Sequence, residues 1–388
     1  MLYTKQAISA DFDSQRKNFV LIYHYGGGYG MLLKKMILFL MLFCLALFAG
    51  NRISSAPQST PTIETPNSRE ESIPPKQPFF FDIPFPFLYD QESGIIQQQV
   101  TIYSAKKLDA PITIGHITDL HFNYCNAEDF AENDPVIMST YQNRDFFRNG
   151  SSRKNAIKCL AHTANFDQTV ITGDVLDYLS HGTVQLLHQL IWVPYPETII
   201  TLGNHEYCRK MQGDIPEQLT IEERYAMLEQ IWAPHHDPLY SSKLLGDAVL
   251  IIQMNNGLNQ YDRRIVPQLQ RDLQIARNNG YIVLLFQHMP LWSNNPQEEA
   301  LAARFSNGYD FINLYTAGLG YQEEPNSPTE MVYRMITHNS DLIKGIFCGH
   351  EHGFFLSSIQ CPDGSVIPQF IQTAACYNKG HVLRINVI

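Results

Sequence analysis

Short apolar, β-rich runs alternate along the chain with stretches whose apolar positions recur every three or four residues. Ile112–Ile117, Thr169–Thr172, Thr198–Leu202, Ala248–Met254, Tyr281–Phe286 and Gly345–Cys348 are runs of the first kind. They predict strands buried on both faces. Phe354–Ile359, Gln369–Thr373 and Val382–Val387 predict later strands with shorter connections. Helices are predicted over Ser152–Asn165, Ser180–Ile191 and about Val266 to Asn278, the last with Val266, Leu269, Leu273 and Ala276 on one face. Thr220-x-x-Glu223 is a capping box that opens a helix to Trp232, and Ser327-Pro328-x-Glu330 opens another. Strands alternating with amphipathic helices from about residue 95 predict an α/β fold.

Polar residues cluster where five of these strands end. They are Asp119-Leu120-His121, Gly173-Asp174-Val175-Leu176-Asp177, Gly203-Asn204-His205-Glu206, His288, and Gly349-His350-Glu351-His352. In α/β sheets, ligands gather beyond the carboxyl ends of the strands. Asp119, His121, Asp174, Asn204, His288, His350 and His352 are all of metal-ligand type. Together they would make a two-metal site with one bridging carboxylate, suited to phosphoryl chemistry. Gly173, Gly203 and Gly349 fit tight turns beside a metal, where a Cβ would intrude. Taken singly, each motif is also an ordinary turn, cap or core histidine; the ordered set of five is what points to a metal centre. His235-His236-Asp237 is read as a polar loop rather than a further metal site. Arg304 to Glu324, rich in Gly, Tyr and Phe, is either a substrate-facing lid or a surface loop.

Composition adds a little. The chain has 388 residues, 44% hydrophobic and 17% charged, enough for a sizeable core. Its net charge of -10 offers no footprint for nucleic-acid scaffold binding. Lys34-Lys35 followed by the apolar run Met36 to Gly50 reads as a signal peptide or signal anchor over 31–50. That run is shorter than the roughly 20 residues a membrane span needs. Residues 1–30 are read as an upstream extension, with Met31 or Met36 as alternative starts. The expected location is secreted or within the secretory-pathway lumen. The alternative is membrane anchoring by residues 36–50, the only membrane contact expected. Residues 51–94 form a Pro/Ser/Thr-rich linker and 95–388 the folded domain. Asn149-Gly150-Ser151 is a glycosylation sequon, with Asn149 the acceptor. Cys44 lies in the leader. Cys125, Cys159, Cys208, Cys348, Cys361 and Cys376 could form up to three disulfides or remain buried thiols.

The ordered set D-x-H, G-D-x-x-D, G-N-H-[DE], H and G-H-x-H resembles the calcineurin-like metallophosphoesterase superfamily over roughly residues 110–388. The resemblance implies a four-layer αββα sandwich of two mixed β-sheets flanked by helices. It implies that Asp119, His121, Asp174 and His352 hold one metal, and that Asp174, Asn204, His288 and His350 hold the other. The metals would be two divalent or trivalent ions per chain, Zn, Mn or Fe. A metal-held hydroxide would attack a phosphate ester in line, His205 would protonate the leaving oxygen, and Glu206 or Asp177 would orient an imidazole. Glu351 would turn away, to solvent or to an outer partner.

Asp177 stands where purple acid phosphatases carry an iron-binding Tyr, with Tyr178 one position late. Asp174 to Tyr178 also lacks the Asp-Arg-Gly of protein Ser/Thr phosphatases. With its leader, the chain is more similar to secreted acid phosphatases and sphingomyelinase-like phosphodiesterases, but it lacks a saposin-like helical domain before residue 95. The expected activity is phosphate-ester hydrolysis. The alternatives are a phosphodiesterase acting on a phospholipid head group or nucleotide, and a non-catalytic phosphate-binding scaffold.

Overall fold

Alternation along the strands decides how this chain layers. The structure, a computed structural model, describes residues 88–90, 94–148, 150–208, 234–291, 327–377 and 379–388, with 226, 228, 229, 231 and 232. In chain order the strands are β1 (Leu88–Asp90), β2 (Ile95–Ile102), β3 (Ile112–Ile117), β4 (Gln168–Thr172), β5 (Ile199–Thr201), β6 (Tyr240–Leu245), β7 (Val249–Met254), β8 (Ile282–Phe286), β9 (Ile343–Cys348), β10 (Phe355–Gln360), β11 (Val366–Ile371) and β12 (His381–Val387). The helices are α1 (Ala127–Glu132), α2 (Pro135–Asn143), α3 (Asp145–Arg148), α4 (Ser151–Thr163), α5 (His181–Leu187), α6 (Ile265–Asn279) and α7 (Ser327–Thr337).

Two six-stranded mixed sheets result, ordered β1-β2-β12-β3-β4-β5 and β10-β11-β9-β8-β7-β6. In the first, β3, β4 and β5 run parallel. In the second, β7, β8, β9 and β11 run parallel. One side chain in two from each sheet enters a shared core. Val100, Ile102, Ile114, Ile385 and Val387 meet Val249, Ile251, Leu284, Phe286, Phe347 and Phe370 there, all buried. Phe347 stacks between Phe286 and Phe370 at centroid distances of 4.9 and 5.0 Å.

The opposite faces take the helices. Helix α4 lies on β2, β3, β4 and β12, burying Ala156, Cys159 and Leu160. Helix α6 lies on β6 and β8 and against α7. Its predicted face is buried at Leu269, Leu273 and Ala276, the two leucines contributing about 1.5–3 kcal/mol each. The expected four-layer αββα sandwich is therefore present.

Several elements lay outside the predicted set. β6 (Tyr-Ser-Ser-Lys-Leu-Leu) is an edge strand with a mostly half-exposed pattern, so it carries no apolar run. Helices α1 to α3 are too short to show a helical period. Their starts are nonetheless signalled by Asn126, whose side chain caps α1 in a box with Asp129, and by Asp134-Pro135 at α2. The predicted Ser180–Ile191 helix is α-helical only to Leu187 and continues as a π-helical turn over His188–Trp192. The first sheet takes in Leu88–Asp90, paired with β2, so the folded domain starts ahead of residue 95 and inside the stretch assigned to the linker.

Cys125, Cys159, Cys208, Cys348, Cys361 and Cys376 are buried thiols outside any disulfide, so the disulfide alternative is not realised. Asn149, residues 31–50, the Thr220–Glu223 capping box and Arg304 to Glu324 lie outside the described residues. No helix among the described residues is long and apolar enough to cross a membrane.

Candidate metal centre

Each polar stretch sits where the sequence pattern put it, beyond the carboxyl end of a parallel strand. β3 delivers Asp119 and His121, β4 delivers Asp174 and Asp177, and β5 delivers Asn204, His205 and Glu206. From the second sheet, β8 delivers His288 and β9 delivers His350 and His352. Backbone bonds zip the first two loops together: Asp119 N donates to the Gly173 carbonyl, His121 N to that of Asp174, and Phe122 N to that of Val175. A Cβ on Gly203 would run into Asp174 Oδ1, and one on Gly349 into the Thr118 hydroxyl. Only glycine lets the loops approach this closely. Asp119, His121, Asp174, His350 and His352 all adopt left-handed backbone, with φ between 46° and 73°.

The seven candidate ligands converge. Potential donor atoms of Asp119, His121, Asp174 and His352 all lie within 4.8 Å of one another, as do those of Asp174, His288 and His350. Asn204 Oδ1 lies 3.1 Å from His288 Nε2, which places it with the second group. Asp174 belongs to both groups, the position of a bridging carboxylate.

The hydrogen bonds around the two groups suit cations. The His288 Nδ1–H donates to the Thr172 carbonyl at 2.7 Å, which leaves the Nε2 lone pair facing inward. That lone pair meets only electron-rich neighbours: Asn204 Oδ1, Asp174 Oδ2 at 3.3 Å and His350 Nδ1 at 3.2 Å. In the other group, the His121 and His352 Nε2 atoms face each other at 3.0 Å. Asp119 Oδ1 is buried without a hydrogen bond, although His352 Nε2 lies 3.1 Å away. Acceptors turned toward one another in a buried space fit metal ions between them.

The charge balance points the same way. Burial pushes the Asp119 carboxyl up, but His352 and His288 reverse this and hold it down at about 2. Burial likewise raises Asp174, and His288 and His205 bring it well below the usual range. Burial lowers His288, yet Asp174 and Asp119 draw it up to about 9: their negative charge favours a cation at Nε2, a proton or the metal ion that would replace it.

The outer partners divide the roles between them. Asp177 Oδ1 lies 3.1 Å from His121 Nδ1, so its carboxylate orients a candidate ligand; its backbone carbonyl accepts from His205 Nδ1 at 2.7 Å. Glu206 touches no imidazole. Its Oε2 accepts the N–H of Gly203 at 2.6 Å and of Asp174 at 3.1 Å, and its Oε1 that of Leu176 at 2.9 Å. It clips two loops together, and of the two carboxylates expected to orient an imidazole it is Asp177 that does so. Burial and the nearby Asp174 raise its carboxyl to about 7. Glu351 is not turned to open solvent: it is only partly exposed, its Oε1 is buried without a partner, and burial lifts it to about 8. Tyr178 is fully buried, with its hydroxyl 3.3 Å from Asn123 Oδ1. In the His235-His236-Asp237 loop, His235 stacks on Trp192 at 3.7 Å and His236 Nε2 bonds the Ile200 carbonyl, the polar-loop reading.

Three participants were not foreseen. Arg144 grips the Asp177 carboxylate through Nε, 2.7 Å from each oxygen, and through Nη2. Asn123 Nδ2 adds a bond to Asp177 Oδ2 at 2.8 Å. The Tyr377 hydroxyl lies 2.9 Å from His352 Nδ1. Tyr377 follows β11, which is parallel to β9, so the strand-end rule would have found it; nothing in the sequence ties Arg144 to Asp177 across 33 positions.

Among solved structures, purple acid phosphatase from yellow lupin (Lupinus luteus) seeds is similar at 12% identity and a TM-score of 0.38, over 74% of this chain. This chain spans 46% of the lupin enzyme's length. A protein from Thermus thermophilus is similar at 10% identity and a TM-score of 0.32, over 69% of this chain and 91% of that one. No curated protein matches the sequence. The family model described as calcineurin-like phosphoesterase matches residues 112–354, most of the described domain and every polar stretch, and the chain belongs to that family.

Proposed function

We propose that the chain is a dinuclear metal-dependent phosphoric ester hydrolase. The observation that carries this reading is Asp174, shared by two groups of inward-facing donors drawn from both sheets. Asp119, His121, Asp174 and His352 would hold one ion, and Asp174, Asn204, His288 and His350 the other. Bound there, two cations would neutralise the phosphate oxygens and activate water.

The protein's own groups would do the rest. The His205 Nδ1–H is committed to the Asp177 carbonyl, so its exchangeable proton sits on Nε2, which lies 3.8 Å from Asp174 Oδ2. A proton there can pass to the leaving alkoxide. Asp177 keeps the His121 tautomer and ring orientation fixed, and Arg144 keeps Asp177 ionised and in place. The test is turnover of p-nitrophenyl phosphate and bis-p-nitrophenyl phosphate by purified protein loaded in turn with Zn, Mn and Fe, alongside elemental analysis. Monoesterase activity with two ions per chain is expected. Preference for the diester would make it a phosphodiesterase, and phosphate binding without turnover would make it a scaffold.

The same reading includes entry into the secretory pathway through residues 31–50, supported by Lys34-Lys35 ahead of an apolar run, with glycosylation at Asn149. Expression in a eukaryotic cell should give a product whose mass falls on glycosidase treatment. A cytosolic, unglycosylated and active protein would overturn that part.

A further inference from the structure

The strands that deliver candidate ligands have a companion that delivers none. β7 runs parallel to β8 and also ends in a polar turn, Asn255-Asn256-Gly257. All three residues are buried. Carboxamides buried to this degree need hydrogen-bond partners, and theirs lie on two ligand loops. Asn256 Oδ1 accepts the main-chain N–H of His288 at 3.1 Å and of Met289 at 3.0 Å, and its Nδ2 donates to the Met289 carbonyl at 2.7 Å. Reversed, the amide would set its NH2 against two N–H groups and its oxygen against a carbonyl, so the partners fix its orientation. The Gly349 N–H takes the His288 carbonyl at 2.9 Å, and the Thr172 carbonyl takes the His288 ring. His288 is thus held from the ends of β7, β9 and β4 at once.

The same turn reaches the first sheet. Asn255 Nδ2 donates to the Tyr207 hydroxyl at 2.7 Å, and Asn255 Oδ1 accepts the Gly257 N–H at 3.0 Å. Tyr207 closes the short turn that follows Asn204, and its N–H returns to the Asn204 carbonyl at 3.2 Å. A Cβ on Gly257 would stand 2.5 Å from the Gly203 carbonyl oxygen, so glycine lets this turn lie against the Gly203 main chain. One residue before the turn, the Met254 carbonyl accepts from Thr201 Oγ1 at 3.1 Å. Asn204 and His288 come from different sheets and lie 84 positions apart, yet Asn204 Oδ1 and His288 Nε2 stand 3.1 Å from each other. The β7 turn is bonded to both of their loops.

We propose that Asn256, together with Asn255 and Gly257, positions the Asn204 and His288 seat: it sets the spacing of two candidate ligands while supplying neither. The inference rests on the dinuclear reading above. The contacts just described fall on the Asn204 and His288 loops, so the effect should be confined to one of the two ions. Metal-free full-length protein would be titrated calorimetrically with Zn(II), with uptake checked by elemental analysis. The step lost in Asn204→Ala marks the seat in question. Asn256→Ala should weaken that step by about tenfold or more and leave the other within about twofold, the scale of removing an outer partner of a metal ligand. Tyr207→Phe removes only the hydroxyl that Asn255 bonds; it should weaken the same step by about threefold, and it carries the test if Asn256→Ala does not fold. A merely structural role would lower the thermal unfolding midpoint of the metal-free protein without selecting one step. Weakening of both steps alike, or no change at the Asn204 step in a folded variant, would overturn the inference while leaving the hydrolase reading standing. A wild-type protein that takes up fewer than two ions would sink both.

Discussion

The two ends of the metal centre are built from different materials. At the Asp119 end, the imidazoles are held by side chains: His121 by Asp177, which Arg144 and Asn123 hold in turn, and His352 by Tyr377. At the Asn204 end, His288 is held by a main-chain carbonyl, and the distinctive candidate ligand is a neutral amide. Asp119 and the shared Asp174 put two carboxylates at the first end, and the second has only Asp174. More anionic charge and a carboxylate-backed imidazole both strengthen cation binding. The Asp119 end should therefore bind its ion more tightly, while the Asn204 end depends on backbone that is already fixed by the fold.

Asp174→Asn should erase the distinction altogether. It removes the one group common to both ends, and metal content and kcat/KM should fall together, the latter by at least about 10³-fold. Elemental analysis showing two ions in that variant would refute the bridge. His205→Ala probes neither end. It should lower kcat by about 10²–10⁴-fold with metal content near wild type, and more for alkyl esters than for p-nitrophenyl esters, whose leaving group scarcely needs a proton. Equal loss on both substrates would mean that His205 positions phosphate instead.

Asp177→Asn separates the ends. Calorimetric titration of the metal-free variant should show one binding step weakened by about 10–100-fold and the other unchanged. If both steps weaken alike, Asp177 serves the centre as a whole. Tyr377→Phe gives the finest resolution, with about threefold weaker binding at the same single step, the scale of one hydrogen bond to a ligand.

How far the sequence disclosed this site follows from how local each signal is. Candidate ligands after β3, β4, β5, β8 and β9 were legible because an apolar run followed by Asp, Asn or His is a pattern within ten residues. The α6 face was legible for the same reason, through its period. Arg144 was not. It ends a helix too short to show a period, and its contact with Asp177 exists only once α2 and α3 have folded over the β3 loop. The choice between Glu206 and Asp177 as the imidazole's partner was left open, because the backbone N–H groups that Glu206 takes up are the same at every non-proline residue and leave no trace in sequence. β6 escaped because an edge strand need not be apolar.

The left-handed backbone at five candidate ligands restricts anyone who would re-engineer the centre. At φ between 46° and 73°, an L-residue carries a steric penalty that Gly avoids and that Asn, Asp and His meet more readily than others. The metal narrows the usable alphabet to donors, and the chain's own path narrows it again to donors that tolerate that path. Cysteine or glutamate introduced at position 121 or 352, to favour a softer or harder ion, would work against the loop that presents it. Changes of metal preference would be more accessible at Asn204 and His288, the two candidate ligands whose backbone lies outside that region.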